Sequence, residues 1–265
     1  MAVVDSQLAP RRNWAALAVT GMLVGLASGL FGVGGGLIIV PALVLWLGYQ
    51  QRLAAGTSLL AIVAPSLAGV ASYATQGHVD PLLAGLLAGG SIVGAPIGAW
   101  LLAKLSKRAL QWSFIAFLVV VIALLFVVIP DRDARVHVDL VNGALIVLVG
   151  VGAGVLAGLL GIGGGIVVVP ALVLLFGASD VMAKGTSLLM IIATGIAGTV
   201  ANVRRGNVDL RAAGVIGLAA ALLTPAGVWI AHALDPFWAN VAFAGFLVFV
   251  IIRMAIDAWP RRREP

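Results

Sequence analysis

Long apolar stretches separated by short polar breaks occupy nearly the whole chain. They fall at 14–31, 37–48, 53–75, 81–103, 109–130, 138–160, 166–177, 182–203, 210–234 and 237–259. Crossing a hydrocarbon core of roughly 30 Å takes about 20 helical residues, and most of these runs carry enough. The runs 37–48 and 166–177 hold only 12 residues each, about 18 Å of helix at about 1.5 Å per residue. Each follows a glycine cluster, FGVGGG at 31–36 and LGIGGG at 160–165. A short apolar helix behind a flexible break reads as a half-helix or re-entrant segment. Arg11 and Arg12 ahead of the first run give it the basic flank of a signal peptide. No clear cleavage site follows and the run belongs to a repeat described below, so it reads as the first span.

Composition turns this pattern into a class. Of 265 residues, 62% are apolar and 10% charged, and the mean hydropathy is +1.15. A soluble domain is about 45–50% apolar and about 25% charged, and a globule of this size cannot hide the excess. Disordered chains lie at the opposite extreme of composition. The absence of cysteine excludes a disulfide framework, a thiolate metal site and cysteine nucleophilic chemistry. A net charge of +6 on so few ionisable groups is better explained by membrane topology than by nucleic acid. The expected fold is an all-α polytopic membrane protein.

Shifting the sequence by 129 positions aligns 25–105 with 154–234 without a gap, and 33 of the 81 pairs are identical. GVGGG…VPALVL at 32–45 matches GIGGG…VPALVL at 161–174, and GTSLL at 56–60 returns at 185–189. Gly77, Val79 and Asp80 recur as Gly206, Val208 and Asp209; Pro96, Gly98 and Trp100 recur as Pro225, Gly227 and Trp229. The period is far longer than that of a solenoid and suits the internal duplication of transporters. We expect two repeats, 1–130 and 131–265, within a single membrane domain. Each holds about four spans and one glycine-broken element.

Positive charge indicates how the repeats face. Thr75 and Gln76 in the first repeat correspond to Arg204 and Arg205 in the second, whereas Lys104 corresponds to Ala233. Equivalent loops of opposite bias belong on opposite sides of the membrane. If each glycine break returns the chain to the side it came from, 13 basic residues fall inside (Arg11, Arg12, Arg52, Lys104, Lys107, Arg108, Arg204, Arg205, Arg211, Arg253, Arg261, Arg262, Arg263). Arg132, Arg135 and Lys184 fall outside, a split of 13 to 3. Parallel repeats give 11 to 5, so the inverted arrangement, with both termini cytoplasmic, obeys the rule better.

The chemistry is that of binding. Among the motifs HExxH, the nucleophile elbow and Walker A, none is present, and His78, His137 and His232 sit apart near span ends. The glycine strings lack the GxGxxG spacing of a nucleotide fold. Nothing requires a cofactor or a metal. Gly34, Gly35 and Gly36, with Gly163, Gly164 and Gly165, can unwind the backbone and expose N–H groups at the start of a short helix, which is an anion site. Two such sites at mid-membrane would frame a transporter pocket. Packing alone could also explain these glycines. Thr57, Ser58, Thr186 and Ser187 could donate hydroxyl protons to an anion, or bond back to a carbonyl one turn earlier. Gly21, Gly25 and Gly29, Gly150, Gly154 and Gly158, and Gly90, Gly94 and Gly98 have the spacing of close helix packing in lipid. Pro65, Pro96 and Pro225 should kink their spans. All ten acidic residues map to termini, loops or span edges, which argues against cation transport and for an anionic cargo.

The doubled GVGGG/GIGGG…VPALVL…GTSLL pattern resembles the sulfite exporter TauE/SafE family of membrane permeases over about 14–259. The resemblance implies export of sulfite or a small organosulfonate across the bacterial inner membrane. The glycine clusters and GTS triplets fall in the family's characteristic segments. The alternatives are a carrier of another small anion and a non-transporting scaffold, for which the longest polar loop, 130–138, is short. The partners expected are the bilayer and a small anion, and a homo-oligomer is compatible with the sequence.

Overall fold

The computed structural model describes residues 13–104 and 138–258, with Trp112, Ile115, Ala116, Leu118, Val119, Ile122, Ala123 and Val136 between them. Most of the expected span 109–130 lies outside the described residues, as do Arg11, Arg12, Lys107, Arg108, Arg132, Arg135, His137 and Arg261–Arg263. The described elements are helical: α1 (Trp14–Phe31), α2 (Gly36–Trp46), α3 (Gln51–Ala61), α4 (Val63–Ala74), α5 (Pro81–Lys104), α6 (Leu140–Leu160), α7 (Gly165–Phe176), α8 (Asp180–Val203), α9 (Leu210–Ala233) and α10 (Pro236–Ala258). Among the described residues, seven stretches are long and apolar enough to cross a membrane, α3 and α4 counting together as one. The chain is a multi-pass membrane protein.

The 129-residue shift carries α1 onto α6, α2 onto α7, α3–α4 onto α8 and α5 onto α9. One equivalence is imperfect. α8 is a single helix, whereas its counterpart breaks between Ala61 and Val63. Pro65 supplies the reason, because its ring removes the bond to the carbonyl of Ala61 and crowds it. Thr194 takes that place in α8 and donates instead to the carbonyl of Met190. Pro96 and Pro225 lie inside helices that continue past them.

Small residues set the packing. Gly21, Gly25 and Gly29 of α1 face the backbone of Ile216, Ala220 and Thr224 on α9. Gly90, Gly94 and Gly98 of α5 face Val147, Val151 and Val155 on α6. Residue numbers rise together in both pairs, so each pair is parallel. The contacts are also equivalent, since Gly150 meets Leu87 and Gly154 meets Ser91, the partners of Gly21 and Gly25 shifted by 129. A side chain at these glycines would meet carbonyl oxygens and push the helices apart.

The equivalent helices α3–α4 and α8 meet in the middle and run antiparallel. Gly56 faces Asn202 and Gly69 faces Leu188, while Gly185 faces Tyr73 and Gly198 faces Leu59. Two-fold-related helices can cross antiparallel only about an axis perpendicular to their length. A second apolar cluster joins Phe31, Val33, Leu37, Ile162 and Ile166 to Phe243 and Leu247 of α10 and to Leu118. Phe31 stacks on Phe246 at 4.9 Å between ring centres. Leu118 and Leu247, again 129 apart, are both fully buried, so they cover the glycine turns from outside.

Candidate functional site

Side chains cap the first turns of α1, α5, α6, α8, α9 and α10: Asn13, Asp80, Asp139, Ser179, Asp209 and Asp235 each accept a backbone N–H. α2, α3, α4 and α7 have no such bond, and of these α2 and α7 begin at glycines, Gly35 and Gly164. The chain reaches them through left-handed turns, with Gly34 and Gly35 at φ +75° and +76° and Gly163 and Gly164 at +77° and +83°. L-residues avoid that region, so glycine is what lets α1 and α6 turn back into a short helix.

The two turns face each other at the centre of the molecule. A Cβ on Gly36 would come within 2.8 Å of the Cα of Ile162, and one on Gly165 within 2.9 Å of the carbonyl oxygen of Gly32. Gly34 and Gly163 both lie against the side chain of Ile191. Ser187 Oγ is 2.9 Å from the place a Cβ on Gly165 would occupy. Ser58 holds the equivalent position in the first repeat. Both serines are fully buried, and neither hydroxyl has a hydrogen-bond partner. A buried hydroxyl without a partner costs about 1–3 kcal/mol, so two of them, Ser187 beside the start of an uncapped helix, call for an acceptor. Positive helix ends and hydroxyl protons both favour an anion.

The threonines are engaged elsewhere. Thr57 Oγ1 accepts the backbone N–H of Asp209 at 3.0 Å, and Thr186 Oγ1 accepts that of Asp80 at 3.0 Å. Those aspartates cap α9 and α5, so each GTS threonine pins the opposite repeat's loop. Tyr49 adds a bond to Asp209 at 3.1 Å, on that side only.

Several residues escaped the sequence reading. Ser28, one turn before Gly32, and Ser66, two turns beyond Ser58, are also buried with unpartnered hydroxyls. Asp180 and Lys184, which the sequence reading placed at a span edge and in an outer loop, are 4% and 5% exposed and joined at 3.1 Å. His78 and His232 are not apart: their ring nitrogens are 3.1 Å from each other. The carbonyl of Val228 lies 2.9 Å from His232 Nδ1 and can only accept, so that nitrogen carries the proton. The 3.6-residue period hints at the serines and at Asp180–Lys184, which share faces, but nothing in the sequence pairs histidines 154 residues apart. A cavity of about 440 Å³ opens between α4 and α9 beside His232, Trp229 and Gln76. No glycine of the two turns lines it.

An all-helical bundle of membrane-crossing helices, with two glycine-broken half-helices meeting at buried hydroxyls, is the architecture of a membrane transporter. Comparison with known proteins agrees and is more specific. The model of the sulfite exporter TauE/SafE family matches residues 3–125 and 146–265, and the chain belongs to that family. It is 27% identical to the probable membrane transporter protein YunE of Bacillus subtilis (strain 168) over 216 residues, covering 73% of this chain and 79% of that one. Another protein of that strain, the probable membrane transporter protein YjnA, is 32% identical over 208 residues, covering 71% and 79%. The probable membrane transporter protein MJ0441 of Methanocaldococcus jannaschii is 26% identical over 170 residues, covering 59% and 60%. No solved structure matches the chain.

Proposed function

We propose that this transporter exports a small sulfur-containing anion, sulfite or an organosulfonate, from the cytoplasm across the inner membrane. The cargo is held between the glycine turns by backbone N–H groups at Gly34–Gly36 and Gly163–Gly165 and by the hydroxyls of Ser58 and Ser187. The observation that carries the reading is the pair of buried, unpartnered serines at equivalent positions, of which Ser187 lies beside Gly165 at the start of an uncapped half-helix. Thr57 and Thr186 anchor the loops around this pocket.

The two repeats are inverted with respect to the membrane. The antiparallel crossing of α3–α4 with α8 supports this, as does the charge asymmetry between Thr75–Gln76 and Arg204–Arg205. The loop at 204–209 then faces the cytoplasm with both termini, and the loop at 75–80 faces outward. An inside-negative potential favours anion exit by about 2.3 kcal/mol per charge per 100 mV. Ser58, Ser187, Ile62 and Ile191 are all fully buried, so the cargo enters and leaves only when the halves part.

Flux of radiolabelled sulfite and sulfoacetate in proteoliposomes tests the reading. Wild-type protein should carry at least one of them in a saturable way. Ser58→Ala and Ser187→Ala should each weaken its affinity by about tenfold to a hundredfold, the worth of one hydrogen bond to a charged group. Unchanged affinity in both variants would remove the pocket from this place.

A further inference from the structure

The face of α8 turned toward the glycine breaks carries Asp180, Lys184, Ser187 and Ile191, spaced as one helical stripe. Its contacts follow that order. The backbone and stem of Lys184 lie against Gly32, Ser187 lies against Gly165, and Ile191 lies against Gly34 and Gly163. The equivalent stripe of the first repeat reads Gln51, Ala55, Ser58 and Ile62, and Ala55 lies against Gly161 as Lys184 does against Gly32. Packing is therefore conserved between the two stripes while the ion pair is present on one alone.

Lys184 Nζ donates to Asp180 Oδ2 at 3.1 Å with both side chains at most 6% exposed. Asp180 Oδ1 is buried and has no hydrogen-bond partner. A buried pair of this kind gains little stability over apolar residues of similar size, and Gln51 and Ala55 show that the fold does without it. Ionisable groups inside a spanning helix belong to substrate pathways by default. The carboxylate is also an incomplete partner, since one oxygen is desolvated without compensation.

Building on the pocket proposed above, we propose that Lys184 recognises the charge of the transported oxyanion and that Asp180 is the latch holding the ammonium while the pocket is empty. Lys184 precedes Ser187 by one turn on the same face, so one small oxyanion can accept from both. A –SO3 group has three acceptor oxygens, enough for an ammonium, a hydroxyl and a helix-terminal N–H together. Its arrival gives Lys184 a competing acceptor, and its departure returns the ammonium to Asp180. The first repeat has no such latch, so the two ends of the pathway are chemically unequal, and release on the Lys184 side is an exchange of anions.

Equilibrium binding of radiolabelled sulfite to full-length protein in lipid nanodiscs, with proteoliposome turnover alongside, separates the outcomes. Lys184→Met should weaken affinity by about tenfold to a hundredfold. Asp180→Asn removes the competing carboxylate, so affinity should rise severalfold while turnover falls. The double variant leaves no uncompensated buried charge and guards against misfolding; its affinity should match that of Lys184→Met. Wild-type affinity in the double variant, with Ser187→Ala still impaired, would overturn the latch and leave the pocket standing. Wild-type affinity in the double variant and in Ser187→Ala alike would overturn both.

Discussion

The pinning threonines and the facing serine stripes of the two repeats answer different questions. Thr57 holds Asp209 and Thr186 holds Asp80 at the same distance, 3.0 Å, from residues the duplication left identical. Two residues toward the helix start the likeness ends, with Ala55 in one repeat and Lys184, paired to Asp180, in the other. Where residues bear on packing between the repeats, the pseudo-symmetric partner must change too, and both copies are kept. On the function proposed above, the symmetric residues build both scaffold and pocket, and the Asp180–Lys184 pair is where the two ends of the path would differ.

The sharpest way to break this comparison is to ask whether the two loops face opposite sides. Gln76 and Arg205 are equivalent and both exposed, and the chain has no cysteine. Cysteine placed at 76 should react with an impermeant maleimide added outside intact cells, and cysteine at 205 only after the membrane is opened. Labelling of both from one side would make the repeats parallel and remove the argument from charge.

Next in size is the effect of closing the glycine turns. Gly35→Val and Gly164→Val force a β-branched residue to φ +76° or +83°. A Cβ at 164 would also sit 2.8 Å from the carbonyl oxygen of Ala153, and one at 35 would collide with Val24. Left-handed backbone alone costs roughly 1–2 kcal/mol. Each variant should still insert, because the surrounding spans keep their hydropathy, yet each should abolish flux. Equal loss in both sharpens the comparison, since the glycine triplets are identical in the two repeats; normal flux in either variant would separate that turn from the pocket.

Much of this was legible in the sequence because lipid makes hydropathy a direct record of helices. The 129-residue offset and the glycine clusters located both short helices to within two residues at their described ends. The break after Ala61 was visible as Pro65, though a kink and a break look alike from a single proline. What stayed hidden was whatever depends on contact between the repeats. Asp180 reads as a loop residue because it opens a span, and only the packing of α8 against Gly32 buries its partner Lys184. His78, in the loop between α4 and α5, and His232, on α9, are brought together from opposite repeats. Thr57 carries the same signal as Ser58 in the GTS triplet, but the turn of the helix sends it to a loop N–H and leaves the serine buried and unpartnered.

The smallest expected effect is the most direct check on the symmetric side of the comparison. Thr57→Val and Thr186→Val keep shape and remove the oxygen that accepts the N–H of Asp209 or Asp80. A net hydrogen bond of this kind is worth about 0.5–1.5 kcal/mol. For a chain of this length about 1 kcal/mol corresponds to roughly 2–4 °C in melting temperature. Both variants should lose that amount, the same in each half, with anion affinity unchanged because neither hydroxyl lies in the pocket proposed above. Tyr49 gives the Asp209 side an extra bond at 3.1 Å, so any inequality should spare Thr57→Val. A drop in affinity at either threonine would instead return it to the cargo site, and the serines would no longer be sufficient to account for recognition.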